Sequence, residues 1–262
     1  MIPLSDENPT LHTPWMTWLI IGTTVAVWMV VQGAGQGMSL PHSVCNLGLV
    51  PGELTHRAPL GAQVPLGDGL ACVIDRDPIN KFTPLTSMFL HGSWGHLLGN
   101  MLFFWVFGNN IEDSMGPGRF LVFYLLCGLV AAAAHVFVSP ASPVPTVGAS
   151  GAISGVMGAY LILYPRVRVN MLFIFVIFFK VFAIPAWLVL LWWFALQVIT
   201  GLPELTPMRP EVSGGVAVWA HVGGFVAGVV LIKVFENRRL VAKRDAIRQM
   251  EHPHHPYGAS AP

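Results

Sequence analysis

Charged residues are scarce in this chain. Only 10% of its 262 residues are Asp, Glu, Lys or Arg, whereas 54% are hydrophobic and the mean hydropathy is +0.62. A soluble domain carries about a quarter charged residues, so this composition excludes an ordinary water-soluble fold. The abundance of apolar residues instead predicts a membrane protein that crosses the bilayer several times.

Basic clusters and metal-binding cysteine patterns are also missing. The 14 Lys and Arg residues are dispersed or flank apolar segments, which excludes nucleic acid as a partner. The three cysteines have no metal spacing, and we expect neither a metal nor another cofactor. Cys127 lies in an apolar segment and is expected to be a packing residue. Cys45 and Cys72 share the first long loop and would be bonded only if it faces an oxidising compartment, so both states stay open.

Six apolar segments approach the length of about 20 residues that crosses a bilayer as a helix. The pattern predicts an all-α polytopic membrane protein in which residues 15–235 form a six-transmembrane-helix bundle. Residues 1–14 and 236–262 are tails, the second disordered at its end, and residues 35–84 form a long first loop. The first segment lacks the features of a signal peptide and should stay in the mature protein. The six segments are 15–34, 88–108, 119–138, 148–164, 184–201 and 216–235.

One further apolar stretch, residues 169–180, affects the span count. It is short for a span, is bounded by Arg166, Arg168 and Lys180, and is followed by Pro185. We interpret it as a segment at the membrane surface rather than as a seventh span. A seventh span would reverse part of the topology.

The basic residues orient the six predicted spans. Ten of the 14 Lys and Arg residues, counted with those at span edges, lie on the side of both tails and of loops 109–118 and 165–183. The positive-inside rule then places both termini in the cytoplasm. Short tails and the lack of an organelle transit peptide favour a bacterial plasma membrane.

Four polar residues fall at a similar depth in this topology. His96 and Asn100 lie near the start of the second span, Ser150 near the start of the fourth and His221 near the start of the sixth. All three spans are entered from the extracytoplasmic side, and a helix rises about 1.5 Å per residue, so each residue lies a turn or two below that surface. A titratable group in a span is costly unless it has a partner or lines water, which predicts one shared site.

Small residues on two of these spans predict that the two helices touch. Such residues let helix backbones approach closely in lipid, which would bring a serine hydroxyl within reach of a histidine ring. The two faces are Ser150, Ser154 and Gly158 in the fourth span, and His221, Gly224 and Gly228 in the sixth.

A serine beside a histidine is a reactive combination. The hydroxyl of Ser150 is a weak nucleophile unless a base such as His221 removes its proton during attack. Glu112 and its acidic neighbour lie at the opposite end of the second span, so we expect a Ser–His dyad without a third carboxylate member. The oxyanion formed on attack needs hydrogen-bond donors, for which His96, Asn100 and the Ser150 backbone N–H are candidates.

Three motifs together resemble the rhomboid intramembrane serine proteases. They are HGSWGHLLGN at 91–100, GASG at 148–151 and AHVGGFVAG at 220–228, and the resemblance covers about residues 85–235. It implies an intramembrane serine endopeptidase that cuts single-pass membrane proteins in or next to their transmembrane helix.

The resemblance also implies individual roles. Ser150 would be the nucleophile and His221 the general base, while the other positions would support the oxyanion, line the entrance or stabilise the fold. Those positions are His96 and Asn100 at the oxyanion, Gly148 and Gly151 of the GxSG motif, His91 at the entrance, and Glu112 and Arg119 in the fold.

Two features concern the loops around this site. Many family members carry Trp-Arg at the positions held here by Phe82 and Thr83, so the usual anchoring of the first loop in the lipid headgroups is altered. The insert at about 35–80 could supply another anchor. Loop 202–215, which contains Pro and Gly, is a candidate lid.

Two alternative functions remain open. A transporter or channel could use the polar residues as a pathway, although it would be expected to show internal repeats, and none is found. A non-catalytic rhomboid-like protein could bind client helices, but it should lack the serine or the histidine. Taken singly, a serine in a span usually bonds back to its own helix, and a lone histidine can relay protons.

Overall fold

The computed structural model describes residues 2–67, 69–175, 178–205 and 217–251. The helices of these residues are α1 (Trp15–Val30), α2 (Ser39–Leu47), α3 (Pro51–Leu54), α4 (Thr83–Thr86), α5 (Trp94–Met115), α6 (Pro117–Val138), α7 (Ser150–Leu163), α8 (Ala186–Gly201), α9 (Val218–Phe235) and α10 (Arg238–Glu251). The strands are β1 (Ile2–Asp6), β2 (Gln63–Gly67), β3 (Leu70–Val73), β4 (Arg168–Phe175) and β5 (Phe178–Pro185). Most of the candidate lid, and the end of the C-terminal tail, lie outside the described residues.

Helices α1, α5, α6, α7, α8 and α9 overlap the six predicted segments, although α5 begins and ends six to seven residues later than the predicted 88–108. By length and composition alone, α6 and α9 could cross a membrane. Helices α1, α7 and α8 are apolar but only 14 to 16 residues long. The order of the helices therefore matches the prediction, while helix length and composition by themselves support spanning for two of them.

Helix α7 is the centre of the bundle. Ten of its 14 residues are buried, and it packs against α5, α6 and α9. A Cβ atom on Gly228 would lie 1.8 Å from the carbonyl oxygen of Gly155, and one on Gly224 would lie 2.0 Å from that of Gly151. The two backbones are therefore in direct contact, as in small-residue interfaces between membrane helices.

The face of α7 that contacts α9 is shifted by one position along the helix at two of its three predicted residues. Gly151 and Gly155 approach α9, while the Ser154 hydroxyl donates to the Ser150 carbonyl oxygen at 2.6 Å. Gly158 contacts the α9 backbone as predicted. A face of glycines permits a closer approach of the two helices than one that carries two hydroxymethyl groups. This explains why Gly151 and Gly155, rather than Ser150 and Ser154, face α9.

Glu112 holds the N-terminus of α1 from the end of α5. Its carboxylate accepts hydrogen bonds from the backbone N–H groups of Met16 (2.9 Å) and Thr17 (2.7 Å), and from the Thr17 hydroxyl (2.7 Å). A negative charge at a helix N-terminus also interacts favourably with the helix dipole. Arg119 donates to the Phe235 carbonyl oxygen at the end of α9 (3.4 Å). Both contacts fit the stabilising roles that the resemblance implies for Glu112 and Arg119.

The all-α prediction was wrong in one respect, because the described residues include two small antiparallel sheets. One has the order β1–β4–β5 and the other pairs β2 with β3. The described residues of the stretch 169–180 therefore lie in the paired strands β4 and β5 and not in a seventh spanning helix. Val, Ile and Phe, which favour strands, are abundant there, and pairing satisfies the backbone groups without a helix.

The N-terminal strand and the C-terminal helix meet at the end of α7 opposite Ser150. Asp6 accepts hydrogen bonds from the Tyr160 hydroxyl and from Asn110 Nδ2. Arg244 of α10 is fully buried, donates to the Asn110 carbonyl oxygen at 3.0 Å, and lies over the Tyr164 ring at 4.0 Å. Parts of both predicted tails are therefore packed against the bundle.

The first loop is folded and covalently closed. Cys45 and Cys72 form a disulfide with a Cα–Cα distance of 5.2 Å, which settles the alternative that the sequence left open. Cys127 is buried and unbonded, as expected of a packing residue. Phe82 is 65% exposed, whereas Thr83 is buried and donates to a backbone carbonyl. An aromatic side chain is therefore exposed where the family often has tryptophan.

We expect Gly228→Ala to destabilise the protein, because the added methyl group would overlap the Gly155 carbonyl. Overpacking of this kind typically costs about 1–3 kcal/mol, and more where backbone must move. Gly22→Ala in α1 is the matched control, since its Cβ would have no neighbour within 4 Å. Thermal unfolding in detergent should give a lower Tm for Gly228→Ala only. Equal Tm values for the two variants would contradict this packing.

Candidate active site

Ser150 begins α7 directly after a constrained turn. The Gly148 N–H donates to the Ser87 carbonyl oxygen at 2.9 Å, and Gly148 has φ +134°, which L side chains rarely adopt. A Cβ on Gly148 would also lie 2.9 Å from ring atoms of His96. The first glycine of the GxSG motif is thus required both by the backbone and by the histidine packed against it.

The structure brings Ser150 and His221 together. Ser150 Oγ lies 2.7 Å from His221 Nε2. The side chain of His221, which belongs to α9, is buried where α9 meets α7 and α8. The predicted closeness of these two atoms is present, and it follows from the backbone contact between α7 and α9. This is the geometry required of a nucleophile and its base.

The second ring nitrogen of His221 has a partner that the sequence did not predict. His221 Nδ1 lies 2.9 Å from Gln197 Oε1 of α8, and the Trp193 ring lies 5.7 Å from the His221 ring. The signal in the sequence was an amide within an otherwise apolar helix. An expectation limited to carboxylates as the third member does not include this amide.

His96 and Asn100 lie one turn apart on α5, whose N-terminus is capped by Ser93. The Ser93 hydroxyl oxygen accepts from the His96 N–H at 3.1 Å. The Gly92 N–H donates a long hydrogen bond to His96 Nδ1 at 3.5 Å, which favours the tautomer with the proton on Nε2, and Nε2 lies against Gly148. Asn100 is 8% exposed, and its Nδ2 has no hydrogen-bond partner among the described residues.

His91 does not take the position at the entrance that we expected. It is fully buried, and its ring packs edge-on against His96 at 5.0 Å. The Gln32 side chain holds its backbone, donating to the His91 carbonyl oxygen and accepting from its N–H, both at 2.8 Å. This double contact holds the His91 backbone against the segment that follows α1, and His96 is the histidine that lines the cavity wall.

A cavity of about 600 Å³ connects these groups. Its wall includes Ser150, His221, His96 and Asn100, together with small residues of α6. His135, which the sequence analysis did not single out, also lines it, and its Nε2 lies 3.1 Å from the Thr146 hydroxyl. The cavity thus places a nucleophile, a base and two amide or imidazole donors around one space.

This arrangement is suited to acyl transfer. The hydroxyl–imidazole pair can attack a carbonyl carbon, and donors on the opposite wall can face the oxyanion that forms. In the part of the chain that the structure describes, no group of three or more His, Cys, Asp or Glu side chains could hold a metal ion.

Known proteins share the region that contains this site. Residues 80–238 match the family model of the rhomboid domain. Rhomboid protease GluP of Bacillus subtilis (strain 168) is 45% identical over 78 residues, 29% of this chain and 15% of that protein. Putative rhomboid protease YdcA of the same organism is 36% identical over 77 residues, 29% of this chain and 38% of that protein. RHOMBOID-like protein 12, mitochondrial, of Arabidopsis thaliana is 28% identical over 173 residues, 60% of this chain and 47% of that protein.

The chain spans less than half the length of each of these three relatives, so the likeness concerns the membrane domain and not the whole proteins. The family model nevertheless covers more than half of this chain, and it includes Ser150, His221, His96 and Asn100 of the cavity wall. The chain therefore belongs to the rhomboid family, whose members are integral membrane proteins and commonly intramembrane serine proteases.

Proposed function

We propose that this protein is an intramembrane serine endopeptidase that cuts single-pass membrane proteins in or next to their transmembrane helix. The observation that carries the proposal is the 2.7 Å contact between Ser150 Oγ and His221 Nε2 on the wall of a cavity. The protease names of two bacterial relatives agree with it.

In the proposed reaction, Ser150 Oγ attacks the carbonyl carbon of the scissile peptide bond while His221 Nε2 accepts the hydroxyl proton. The protonated ring then gives this proton to the leaving nitrogen, the C–N bond breaks, and an acyl-serine ester remains. Water attacks the ester with His221 again as base. The new carboxyl group leaves, and the Ser150 hydroxyl is restored.

The oxyanion of each step would be bound by three donors: His96 Nε2–H, Asn100 Nδ2–H and the Ser150 N–H at the start of α7. The unpaired Asn100 amide supports this assignment, because a buried donor without a partner is costly and a substrate oxygen would satisfy it. Donors fixed before the reaction stabilise the developing charge without a cost of reorganisation.

We further propose that α1, α5, α6, α7, α8 and α9 all span the membrane, with both termini in the cytoplasm of a bacterial cell. The disulfide between Cys45 and Cys72 supports an extracytoplasmic first loop, because disulfides persist in oxidising compartments. Leu49 of this loop contributes to the cavity wall, which supports a cavity on the extracytoplasmic side. Water would thus reach Ser150 from the extracytoplasmic side.

The β4–β5 hairpin would then lie at the cytoplasmic surface of the membrane. Phe179 and Val181 of β5 are 68% and 50% exposed, and Lys180 lies between them. Apolar side chains beside a cation suit the boundary between acyl chains and headgroups.

We expect a fluorophosphonate probe to label the intact protein, and the label to be lost in Ser150→Ala and greatly reduced in His221→Ala. Ser154→Ala is the matched control, because its hydroxyl bonds only to the carbonyl oxygen of its own helix in the described structure. A transmembrane substrate should be cleaved by the wild type and by Ser154→Ala alone.

Labelling or cleavage that persists in Ser150→Ala would refute the serine protease. A wild type that binds transmembrane peptides without being labelled and without cutting them would instead indicate the non-catalytic client binder.

Asn100→Ala should lower kcat strongly and KM little, because the amide is used mainly when the oxyanion forms. Loss of one such donor typically costs about 10²–10³-fold in kcat. Asn46→Ala is a suitable control, since Asn46 Nδ2 donates to a backbone carbonyl on the first loop. Steady-state cleavage in detergent separates the two constants. An unchanged kcat would remove Asn100 from the oxyanion site.

Substrates whose transmembrane helix contains Gly or Pro near the cleavage site should be cut faster than a poly-Leu helix. Regular helices bond their own carbonyl groups and shield the backbone from attack. A matched pair of substrates that differ only in a Gly-Pro insertion tests this in liposomes. Equal cleavage rates would be inconsistent with a requirement for local unwinding.

A further inference from the structure

Gln197 stands out on the packing face of α8. This face also carries Ala186, Leu190, Trp193 and Gly201, which are apolar and pack towards the bundle. Gln197 Oε1 instead lies 2.9 Å from His221 Nδ1. Thr200, on the same helix, is exposed and donates to the Leu196 and Gln197 carbonyl oxygens of its own helix.

The contact decides which nitrogen of His221 carries a proton. A carbonyl oxygen can only accept, so Nδ1 must donate to Gln197 Oε1 in the neutral ring. Nε2 is then unprotonated and can accept the Ser150 proton across its 2.7 Å contact. The opposite tautomer would place a hydrogen on Nε2 and leave it unable to act as a base.

We propose that Gln197 is a positioning residue that holds His221 in its reactive tautomer and orientation, as a neutral third member beside the Ser150–His221 dyad. The inference rests on the function proposed above and extends it, because a dyad by itself leaves the ring free to exchange tautomers. Gln197 acts through His221 and does not touch the substrate.

A neutral amide suits this position better than a carboxylate does. An ionised side chain on an apolar helix is expensive in a membrane, even where it has a partner. The amide oxygen still directs a partial negative charge at the ring when His221 becomes positively charged during the reaction. Trp193, one turn earlier on α8, limits rotation of the ring from the side.

The proposal also ties the chemistry to the position of α8. Apart from Ser150, the two side chains described above as holding the His221 ring, Gln197 and Trp193, both come from this one helix. The outer face of α8 carries exposed apolar side chains, so the helix has the bundle on one side only. Displacing α8 would therefore release the ring and impair the base before Ser150 itself moved.

The test compares Gln197→Leu, Gln197→Glu and Thr200→Val in the full-length protein. Gln197→Leu should lower kcat by about 10–100-fold, the range seen when a hydrogen-bond partner that orients a histidine is lost, with KM within about twofold of wild type. Its rate of fluorophosphonate labelling should fall by a similar factor, since the small probe needs the base but no helix-binding surface. Gln197→Glu, which keeps an acceptor oxygen, should recover most of the rate, and Thr200→Val should match wild type.

Labelling of Gln197→Leu at the wild-type rate would overturn the proposal, as would equal losses in the Leu and Glu variants. A rise in KM alone would assign Gln197 to substrate entry instead. Gln197→Met, which preserves the length of the side chain, repeats the comparison if the Leu variant does not fold. Ser150→Ala, measured in parallel, separates the two hypotheses. Activity that survives in Ser150→Ala refutes the proposed protease. Loss of activity in Ser150→Ala, together with unchanged activity in Gln197→Leu, refutes only the positioning role of Gln197.

Discussion

The direct contact between the backbones of α7 and α9 is the constraint on which the rest of the structure depends. Gly151 and Gly155 on one helix, and Gly224 and Gly228 on the other, leave no room for a side chain between them. In lipid, where no hydrophobic force drives helices together, such packing supplies the attraction itself. It also sets the separation of Ser150 and His221, which lie at the same end of this interface.

Burial of polar groups in an apolar bundle imposes a second constraint, because each group needs a partner that the bundle provides. Glu112 satisfies the free N–H groups at the start of α1, and Gln32 satisfies the backbone of His91. The first contact joins the start of α1 to the end of α5, and the second joins the segment after α1 to the segment before α5. They hold the α5 face that carries His96 and Asn100 towards the cavity, at the depth of the nucleophile.

Much of the site was predictable, because helical periodicity and bilayer thickness are strong rules. Equal depth and small-residue faces were enough to predict that Ser150 and His221 meet. The role of Gln197 was not predictable from the same rules, since the rotation of α8 about its axis depends on packing that an almost uniformly apolar sequence does not specify. Strands β4 and β5 were missed for a related reason: a short apolar run has no periodicity that separates a strand from a surface helix. His91 was misplaced because its position depends on Gln32, 59 residues earlier in the chain.

The first loop shows how an insertion outside the bundle can support the site. The segment between α6 and α7 contains no helix, and it leads directly to Ser150. Leu49 and Thr146 pair through two backbone hydrogen bonds of 2.9 and 2.8 Å, and the Gly52 N–H donates to the Ser142 carbonyl oxygen at 2.8 Å. Cys45 of the disulfide lies only four residues before Leu49. The disulfide therefore restricts the movement of the part of the first loop that pairs with the segment before Ser150. The turn that presents the nucleophile is thus held from outside the bundle by the first loop and from inside by the His96 ring against Gly148.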